Sequence, residues 1–463
     1  MSVKSLMVPL EAAASLTPVL RVVAKNPQLA RLWLAQFVSQ TGDWLNRVAS
    51  LVLIGNLGGT GPVLGVGALF GAELALRLLP SAALGPLAGP VADRLPRRML
   101  MVVADLSRAV IVLGFLLVRE PAHLPLLYVL IVLQMAIGIF FDAARTAALP
   151  DTVAKDDLHD AYALSAMTWS ITLCFGALAG GWLVQWVGVG GAFVIDAATY
   201  VVSAVFLIGV RLPPVPKQEQ PFRWRDIVLM TDLKRGLTHV RSLGIAPILW
   251  TKTYWGAAGG YLVLLSLAGR DRFGEVPEAT SSASELAAAA GATAVATGAL
   301  YTARGVGTGL GPLVANFVFG KSDAALRRQI SAGFVVAAVG YALFGFTTSL
   351  WAACVFVAVA HVGGCALWVA STVLWQKRVE PAYRGRVFAL EFLALDISFA
   401  LGGLVAGAIY DATESLAQTA WIVSGMVLAL GMAWTWSSRG VLAPGPGAEV
   451  FPTAKPLVEE DDG

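Results

Sequence analysis

The chain has 463 residues, of which 57% are hydrophobic and 14% charged, and its mean hydropathy is +0.71. A soluble protein carries about 25% charged residues and could not bury so much apolar surface, so the composition excludes that class and indicates a polytopic membrane protein. The net charge of +3 is too small to indicate a nucleic-acid partner. The three cysteines lie in apolar runs, where packing is their expected role.

Apolar runs long enough to cross a bilayer recur twelve times along the chain. The first 28 residues lack the apolar core of a signal peptide, so the first spanning helix is expected to direct insertion. We predict membrane helices at residues 29–57, 62–91, 98–118, 124–148, 160–187, 189–211, 244–268, 292–319, 326–348, 350–375, 385–410 and 416–438. Only "GVGG" separates helices 5 and 6.

Lys and Arg residues concentrate in the turns after helices 2, 4, 6, 8 and 10. Since basic turns stay in the cytoplasm, both termini are expected there, in a cell (inner) membrane. The connection after helix 6 begins with "PPVPKQEQP" and continues as an amphipathic stretch suited to the membrane surface. We therefore predict a lead-in (1–28), a six-helix bundle (29–211), a cytoplasmic linker with an amphipathic helix (212–243), a second six-helix bundle (244–438) and a disordered tail (439–463).

An internal repeat supports this division. "LGPL" occurs at Leu84–Leu87 and again at Leu310–Leu313, 226 residues later, and Gly176 and Gly181 of helix 5 match two glycines of helix 11 at the same offset. Matching motifs that recur at the same spacing in two six-helix groups indicate that the two halves arose by duplication. The predicted fold is an all-α polytopic membrane protein with twelve transmembrane helices in two pseudo-symmetric six-helix bundles.

Several segments carry a family resemblance. "GPVADRLPRR", from Gly89 to Arg98, resembles the loop signature G-x-L-A-D-R-x-G-R-R of the major facilitator superfamily, departing from it at Val91 and Pro96. "LWLAQFVSQTGDWLNRVA", "ARTAALPDTVAKDDLHDAYAL" and "VEPAYRGRVFAL" resemble its branch of enterobactin and macrolide efflux proteins. "GALAGG" in helix 5 is similar to the antiporter signature G-P-x-x-G-G, with Ala177 in place of the proline. The resemblance implies export by alternating access.

The loop after helix 2 is interpreted as a cytoplasmic gate. Asp93 is expected to cap the N-terminus of a neighbouring helix, where free backbone N–H groups favour an anion, and the resemblance implies that this neighbour is helix 11. Asp142 pairs either with Arg145 on its own helix or with Arg97 as part of this gate. A simple basic turn is the alternative. The gate residues are Gly89, Asp93, Arg94, Arg97, Arg98 and Asp142.

Charged residues inside the first six helices lie three or four positions apart, so each pair can neutralise itself on one helix face. The pairs are Asp43 and Arg47, Glu73 and Arg77, Asp105 and Arg108, and Asp142 and Arg145. The resemblance implies that helix 1 lines the cavity, so Asp43 is the leading candidate for protonation during transport, since low dielectric favours the neutral carboxyl. A movement that separates Asp43 from Arg47 would couple proton binding to conformation.

The charges of the second half have no partners on their own helices. Arg304 is expected to meet Asp396 or Glu391 across the cavity, or else a charged substrate, because an unpaired arginine is costly in lipid. Lys252 and His361 complete this set. Asp196, near the start of helix 6, is interpreted as an interfacial cap. Aromatic residues at depths where a cavity could be lined are Trp44, Trp169, Tyr254, Trp255, Tyr301 and Trp368.

Together these features predict a secondary active transporter, a proton-coupled exporter of an amphipathic small molecule of drug or siderophore class. A lipid or lysolipid translocator and an importer of the same fold are the transport alternatives. A non-transporting receptor and an intramembrane enzyme are the others. The sequence contains no G-x-x-x-x-G-K-[ST], H-E-x-x-H or G-x-S-x-G motif, so we expect neither direct use of ATP nor catalysis. No cofactor or metal is predicted, and the chain is expected to be a monomer.

Overall fold

The computed structural model describes residues 18–58, 64–214, 230–274 and 282–440, which are helical and contain no strands. The predicted tail beyond residue 440 and most of the lead-in lie outside these ranges. The helices are α1 (Pro18–Lys25), α2 (Pro27–Gly58), α3 (Val66–Ala92), α4 (Arg97–Gly114), α5 (Leu124–Ala148), α6 (Leu158–Ile208), α7 (Met230–Ser242), α8 (Ala246–Leu249), α9 (Thr251–Tyr254), α10 (Gly259–Asp271), α11 (Ala283–Phe319), α12 (Asp323–Phe346), α13 (Leu350–Gln376), α14 (Pro381–Thr413) and α15 (Leu416–Ser437).

Within the described ranges, nine helical segments are long and apolar enough to cross a membrane. The nine do not include α2, although it has 32 residues, because Asp43, Asn46 and Arg47 lower its mean hydropathy. They also count residues 155–208 as one segment and omit the interrupted region before α10. The predicted number of twelve therefore remains a prediction.

The long helix α6 contains a reversal at Gly188. Gly188 has φ +74° and ψ 173°, a backbone conformation that residues other than glycine rarely adopt. Trp33 in α2 donates a 2.8 Å hydrogen bond to Thr168, before the glycine, and Arg31 donates one of 2.7 Å to the Gly209 carbonyl, after it. Since both sides of Gly188 reach the same end of α2, the chain turns back there, at the predicted boundary of helices 5 and 6.

The predicted seventh and eighth helices differ from the structure. Residues 244–268, expected as one helix, form the short helices α8 and α9, a 3-10 segment (Trp255–Ala258) and α10. This interrupted stretch includes Gly256 and Gly259, which pack directly against residues 398 and 399 of α14. Helix α11 begins at residue 283, nine residues earlier than predicted, because Ser282 and Glu285 form a capping box.

Two pairs of helices join the first half of the chain to the second: α3 packs against α14, and α6 packs against α11. Glycines allow the close approach. Gly67 of α3 abuts the backbone of Gly407 in α14, and Gly181 of α6 abuts the backbone of Ala294 in α11. Such contacts are typical of membrane helices. The hydrophobic effect does not drive helices together in lipid, so they associate through the close packing that small residues allow.

The two halves are closest at one end of the bundle. We call the end that carries Arg94, Arg97 and Arg98 the basic end, and the end where α2 finishes and α3 begins the far end. Nine of the eleven buried residues of α3 lie between residues 67 and 80, in the part nearer the far end. Toward the basic end, a side chain placed at Gly85 or Gly89 of α3 would meet no atom within 4 Å. The interface is therefore tight at the far end and loose at the basic end.

The amphipathic linker helix is present in part. α7 covers residues 230–242 and packs against α14, where His239 stacks on Tyr383 with ring centroids 4.0 Å apart. The preceding residues of the predicted helix lie outside the described ranges.

Candidate functional site

Asp43 of α2 lies in a group of acidic residues inside the first half. The Tyr200 hydroxyl donates a 2.5 Å hydrogen bond to Asp43 Oδ1, and Arg108 Nη1 is 3.8 Å from Asp43 Oδ2. The Asp43 side chain remains 30% exposed. The predicted pair of Asp43 with Arg47 is wrong, because Arg47 turns instead toward α3, as described below.

Asp105 and Arg108 of α4 form the predicted pair on one helix face. Ser203 donates a further 2.6 Å hydrogen bond to Asp105 Oδ2, and the guanidinium of Arg108 lies 4.5 Å from the ring centroid of Tyr200. Asp105 therefore has a complete set of partners, whereas Asp43 has an arginine only at the edge of ion-pair distance.

Asp196 of α6 is the member of this group that sequence reasoning missed. The residue is 0% exposed, and its Oδ2 atom has no hydrogen-bond partner. Its other carboxyl oxygen is 3.4 Å from the Thr199 hydroxyl and lies against Gly42, next to Asp43. The interpretation as an interfacial cap is wrong, since a cap would be exposed. We call Asp43, Asp105, Arg108, Asp196 and Tyr200 the acidic cluster.

A second group of charges lies where the halves meet. Arg47 Nη2 is 3.6 Å from Glu73 Oε2, and Arg77 pairs with the same carboxylate, as its spacing predicts. Arg304 of α11 approaches from the second half. The guanidinium centres of Arg47 and Arg304 both lie 6.0 Å from the ring centroid of Trp44. We call Arg47, Glu73, Arg77 and Arg304 the basic cluster.

The predicted partners of Arg304 are engaged elsewhere. Glu391 accepts a 2.9 Å hydrogen bond from Lys252, and both residues are buried. Asp396 lies beside the Ser81 hydroxyl of α3. No carboxylate in the described ranges is within 4.0 Å of Arg304, so the expected pair is wrong for this conformation.

The pair of Lys252 and Glu391 is enclosed within the second half. Trp375 donates a 3.2 Å hydrogen bond to Glu391, Lys252 donates one of 2.8 Å to Thr372, and the Lys252 ammonium is 4.7 Å from the Trp368 ring. With its partners so close and water excluded, this pair is suited to holding α9, α13 and α14 together.

The predicted aromatic residues other than Trp368 occupy two environments. Trp44 and Tyr301 flank the basic cluster, and Trp169, 41% exposed, lies edge-on to Trp44 at 6.5 Å. Trp255 is 6% exposed and packs against Phe334, so it belongs to the core of the second half rather than to a cavity. Tyr254 is partly buried against the same core.

His361 of α13 is also enclosed. Its Nδ1 atom is 3.1 Å from the Val357 carbonyl, and its ring lies edge-on to Tyr341 at 5.7 Å. These contacts orient the ring and include no carboxylate. His361 is therefore packed between helices rather than paired with an acidic group.

The predicted gate is not closed in this structure. Asp93 is 54% exposed and 3.9 Å from Arg97, rather than at the N-terminus of α14. Arg97 donates 2.7 Å and 2.9 Å hydrogen bonds to Asp151 and the Ala147 carbonyl. Asp142 is 3.5 Å from Arg145, so its alternative pairing with Arg97 is wrong here. Arg94 donates to the Pro90 carbonyl, and Arg98 is exposed.

A carboxylate instead joins the halves at the far end. Asp411, near the end of α14, accepts 2.8 Å hydrogen bonds from the backbone N–H groups of Gly67 and Ala68 in the first turn of α3. The free N–H groups and the helix dipole both favour an anion there. We call this contact the latch. It is the kind of cap predicted for Asp93, with the roles of the two helices exchanged.

Comparison with known proteins gives this arrangement a family. Residues 32–300 match the family described as Major Facilitator Superfamily. The chain belongs to this superfamily. It is thus a multi-pass membrane transporter and not an enzyme. The matched residues include the whole acidic cluster and all of the basic cluster except Arg304.

Relatives of this superfamily member include a provisionally named exporter and a multidrug resistance protein. It is 25% identical over 365 residues to BacE of Bacillus amyloliquefaciens, provisionally named a bacilysin exporter, covering 77% of this chain and 83% of BacE. It is 26% identical to the multidrug resistance protein MdtH of Cronobacter sakazakii, covering 81% and 87%. The match to YkuC of Bacillus subtilis, an uncharacterized transporter of the superfamily, is 24% identical and spans 52% of this chain and 56% of YkuC.

Solved structures share the fold. The nucleoside transporter NupG superposes with a TM-score of 0.65 at 17% identity, covering 89% of this chain and 99% of NupG. At that identity the likeness concerns the fold alone, in which two halves meet along α3, α14, α6 and α11.

Proposed function

We propose that this superfamily member is a proton-coupled exporter of amphipathic small molecules, of drug or siderophore class, that works by alternating access. It acts as a monomer in the cell (inner) membrane, with both termini in the cytoplasm. Twelve spans follow if α2, the interrupted residues 246–271 and both sides of Gly188 each cross the bilayer.

The surroundings of Asp43 carry the proposed proton coupling. Its carboxylate is partly exposed inside a helical bundle, and the nearest guanidinium, Arg108, is already paired with Asp105. A carboxylate that is held in low dielectric without a close cation is costly to keep ionised. Binding a proton removes that cost, so Asp43 can exchange protons as its surroundings change.

The unequal ends of the interface support alternating access. The latch and the glycine contacts close the far end, and the basic end is loosely packed around Gly89 in the same structure. If the basic end faces the cytoplasm, as its charges predict, this conformation is inward-facing. In the opposite conformation we expect Asp93 to cap α14 while the latch opens.

The direction of transport rests on two observations. BacE and MdtH are named as exporters or resistance proteins. The segment similar to the antiporter signature also lies at the interface between the halves, with Gly181 of α6 against α11. Proton entry and substrate exit through one interface would make the chain an antiporter.

Transport by purified protein in liposomes tests the proposal. A panel of siderophores, macrolides, dyes and lysolipids is supplied with and without an imposed pH gradient, and accumulation is measured. Wild-type protein should concentrate part of the panel only when the gradient is present. Asp43→Asn should abolish gradient-driven accumulation while exchange without a gradient continues.

Asp156→Asn is the matched control, since Asp156 is exposed in the turn before α6. It should transport like the wild type. Gradient-driven accumulation by Asp43→Asn would remove the coupling role from Asp43. Selective movement of lysolipids would favour the lipid translocator, and uptake toward the basic end would favour an importer.

A further inference from the structure

The basic cluster has more positive charge than its own carboxylate can neutralise. Arg47 and Arg77 share Glu73, and Arg304 has no carboxylate within 4.0 Å in the described part of the chain. We infer that the transported solute carries an anionic group, a carboxylate or a group of similar charge and shape, which binds between Arg47 and Arg304. This inference rests on the proposed function, because it names the substrate class of that site.

The two guanidinium groups border one space from opposite halves. Arg47 belongs to α2 and Arg304 to α11, yet their centres lie 5.5 Å and 5.9 Å from the same Tyr301 ring. Each also lies 6.0 Å from Trp44. Guanidinium groups form paired hydrogen bonds with carboxylates, so two of them around one space suit an oxyanion.

Unused donors in the cluster support the same conclusion. Arg47 Nε, Arg304 Nε and Arg77 Nη2 are buried and have no hydrogen-bond partner. Buried donors nearly always have an acceptor, and a charged donor without one is especially costly. The aromatic rings offset part of this cost by cation–π attraction, yet these three nitrogens remain without an acceptor. An anion would supply the missing acceptors.

The neighbouring rings indicate an organic anion rather than an inorganic one. Trp169 is 41% exposed and lies edge-on to Trp44. These two indoles offer an apolar surface directly beside the guanidinium groups. The solute would place its anionic group between Arg47 and Arg304 and its apolar part against the indoles.

The position of the site also links binding to conformation. Without a ligand, two positive charges from opposite halves repel each other at the interface. An anion between them turns that repulsion into attraction, so it favours the conformation in which both halves contact the solute. Binding then changes the equilibrium that alternating access requires.

Matched compounds test this inference in liposomes that contain the full chain. Several aromatic scaffolds, among them naphthalene and an aromatic dipeptide, are each supplied as carboxylate, carboxamide and amine, with and without a pH gradient. Carboxylates should be transported in preference to the other two forms. Arg304→Gln should weaken the apparent affinity for carboxylates by about tenfold or more, the loss expected for one charged hydrogen-bonding partner.

Arg328→Gln is the control, because Arg328 is exposed on α12 and donates only to the Ala324 carbonyl. It should leave the affinity unchanged. Carboxylate transport by Arg304→Gln with wild-type affinity would overturn the inference. So would phosphatidylglycerol binding that Arg304→Gln weakens in a protein that transports carboxylates, carboxamides and amines equally, which would indicate that a lipid headgroup occupies the site.

The results separate this inference from the proposed function. Gradient-driven transport of amines or carboxamides but not carboxylates would overturn the inference and leave the proton-coupled exporter intact. Carboxylate transport at the same rate with and without the pH gradient would support the inference and overturn proton coupling. If no compound moved in any form, both would be wrong.

Discussion

The acidic and basic clusters begin one helical turn apart on α2 but have opposite compositions. Asp43 faces α4 and α6, where the acidic cluster contains three carboxyl groups and one guanidinium. Arg47 faces α3 and α11, where the basic cluster contains three guanidinium groups and one carboxylate. The imbalance, rather than the presence of charge, distinguishes these clusters from the enclosed pair of Lys252 and Glu391.

The two imbalances call for different ligands. Excess carboxyl groups can be neutralised by protons, which are small enough to reach a site within one half. Excess guanidinium groups need an anion, and their site lies between the halves, where a solute can enter and leave. The comparison therefore assigns coupling to the first half and substrate binding to the interface, and it can be tested one cluster at a time.

The largest expected effect comes from removing the carboxylate of the basic cluster. Glu73→Gln leaves Arg47 and Arg77 without their shared partner, and loss of one member of a buried ion pair costs about 3–5 kcal/mol. The melting temperature, followed by tryptophan fluorescence in detergent, should fall strongly. A transported carboxylate should restore part of the loss, because it supplies an anion to the same space.

Glu120→Gln is the matched control, since Glu120 is 63% exposed and contacts only His123. Its melting temperature should match the wild type. An equally stable Glu73→Gln protein would show that the basic cluster does not depend on its carboxylate, and the charge comparison would fail.

The next effect distinguishes two members of the acidic cluster. Asp105→Asn removes the close partner of Arg108 and should destabilise the protein by about 3 kcal/mol. Asp196→Asn should cost less than about 1 kcal/mol, because Asp196 has no cation within 4.0 Å among the described residues and a neutral side chain of the same shape suits its site. Melting temperatures of the two variants measure the difference. A larger loss for Asp196→Asn would indicate that Asp196 is ionised.

Much of the fold could be predicted because apolar length and turn chemistry act locally. The bounds of α5, α13 and α15 follow from their apolar runs, and the reversal at Gly188 lies where "GVGG" predicts it. The region before α10 could not be predicted, since its interruptions occur where glycines meet α14, a contact between residues far apart in sequence. The early start of α11 could have been found from the "SASE" capping box.

The sequence predicted most of the residues of the candidate site but not which of them contact one another. Helical spacing places Asp43 and Arg47 on one face, yet neighbouring helices offer each a different partner. Spacing succeeded for Glu73 with Arg77 and for Asp105 with Arg108, although Arg47 and Asp43 of α2 also approach these pairs. Asp196 was missed because its burial depends on where α6 lies against Gly42.

A smaller effect concerns the aromatic side of the basic cluster. Trp44→Ala removes the ring that both Arg47 and Arg304 approach, and cation–π and apolar contact are together worth about 1 kcal/mol at such a site. The apparent affinity for a transported aromatic carboxylate should fall by about fivefold, measured by competition in liposomes. Trp44→Phe should retain most of it. Equal loss in both variants would indicate that the indole N–H, not the ring face, matters.

An effect of similar size concerns which end of the bundle gives access to the two clusters. Asp411→Ala removes the cap from α3, and a capping interaction is worth about 1 kcal/mol, so the far-end-open population should rise about fivefold. Leu74 is 2% exposed and packs on Gly403 of α14, near the latch. In a variant without native cysteines, the labelling rate of a cysteine introduced by Leu74→Cys should rise by that factor.

Asp93→Ala provides the opposing measurement. If Asp93 caps α14 only when the far end is open, its removal should slow the same labelling reaction. Because the two substitutions act on the same pair of helices from opposite ends, a shift in the same direction for both would mean general loosening rather than exchange of two caps. In that case α3 and α14 would not open one end of the bundle while they close the other. Ligand binding at the two clusters could then not drive alternating access through these two helices.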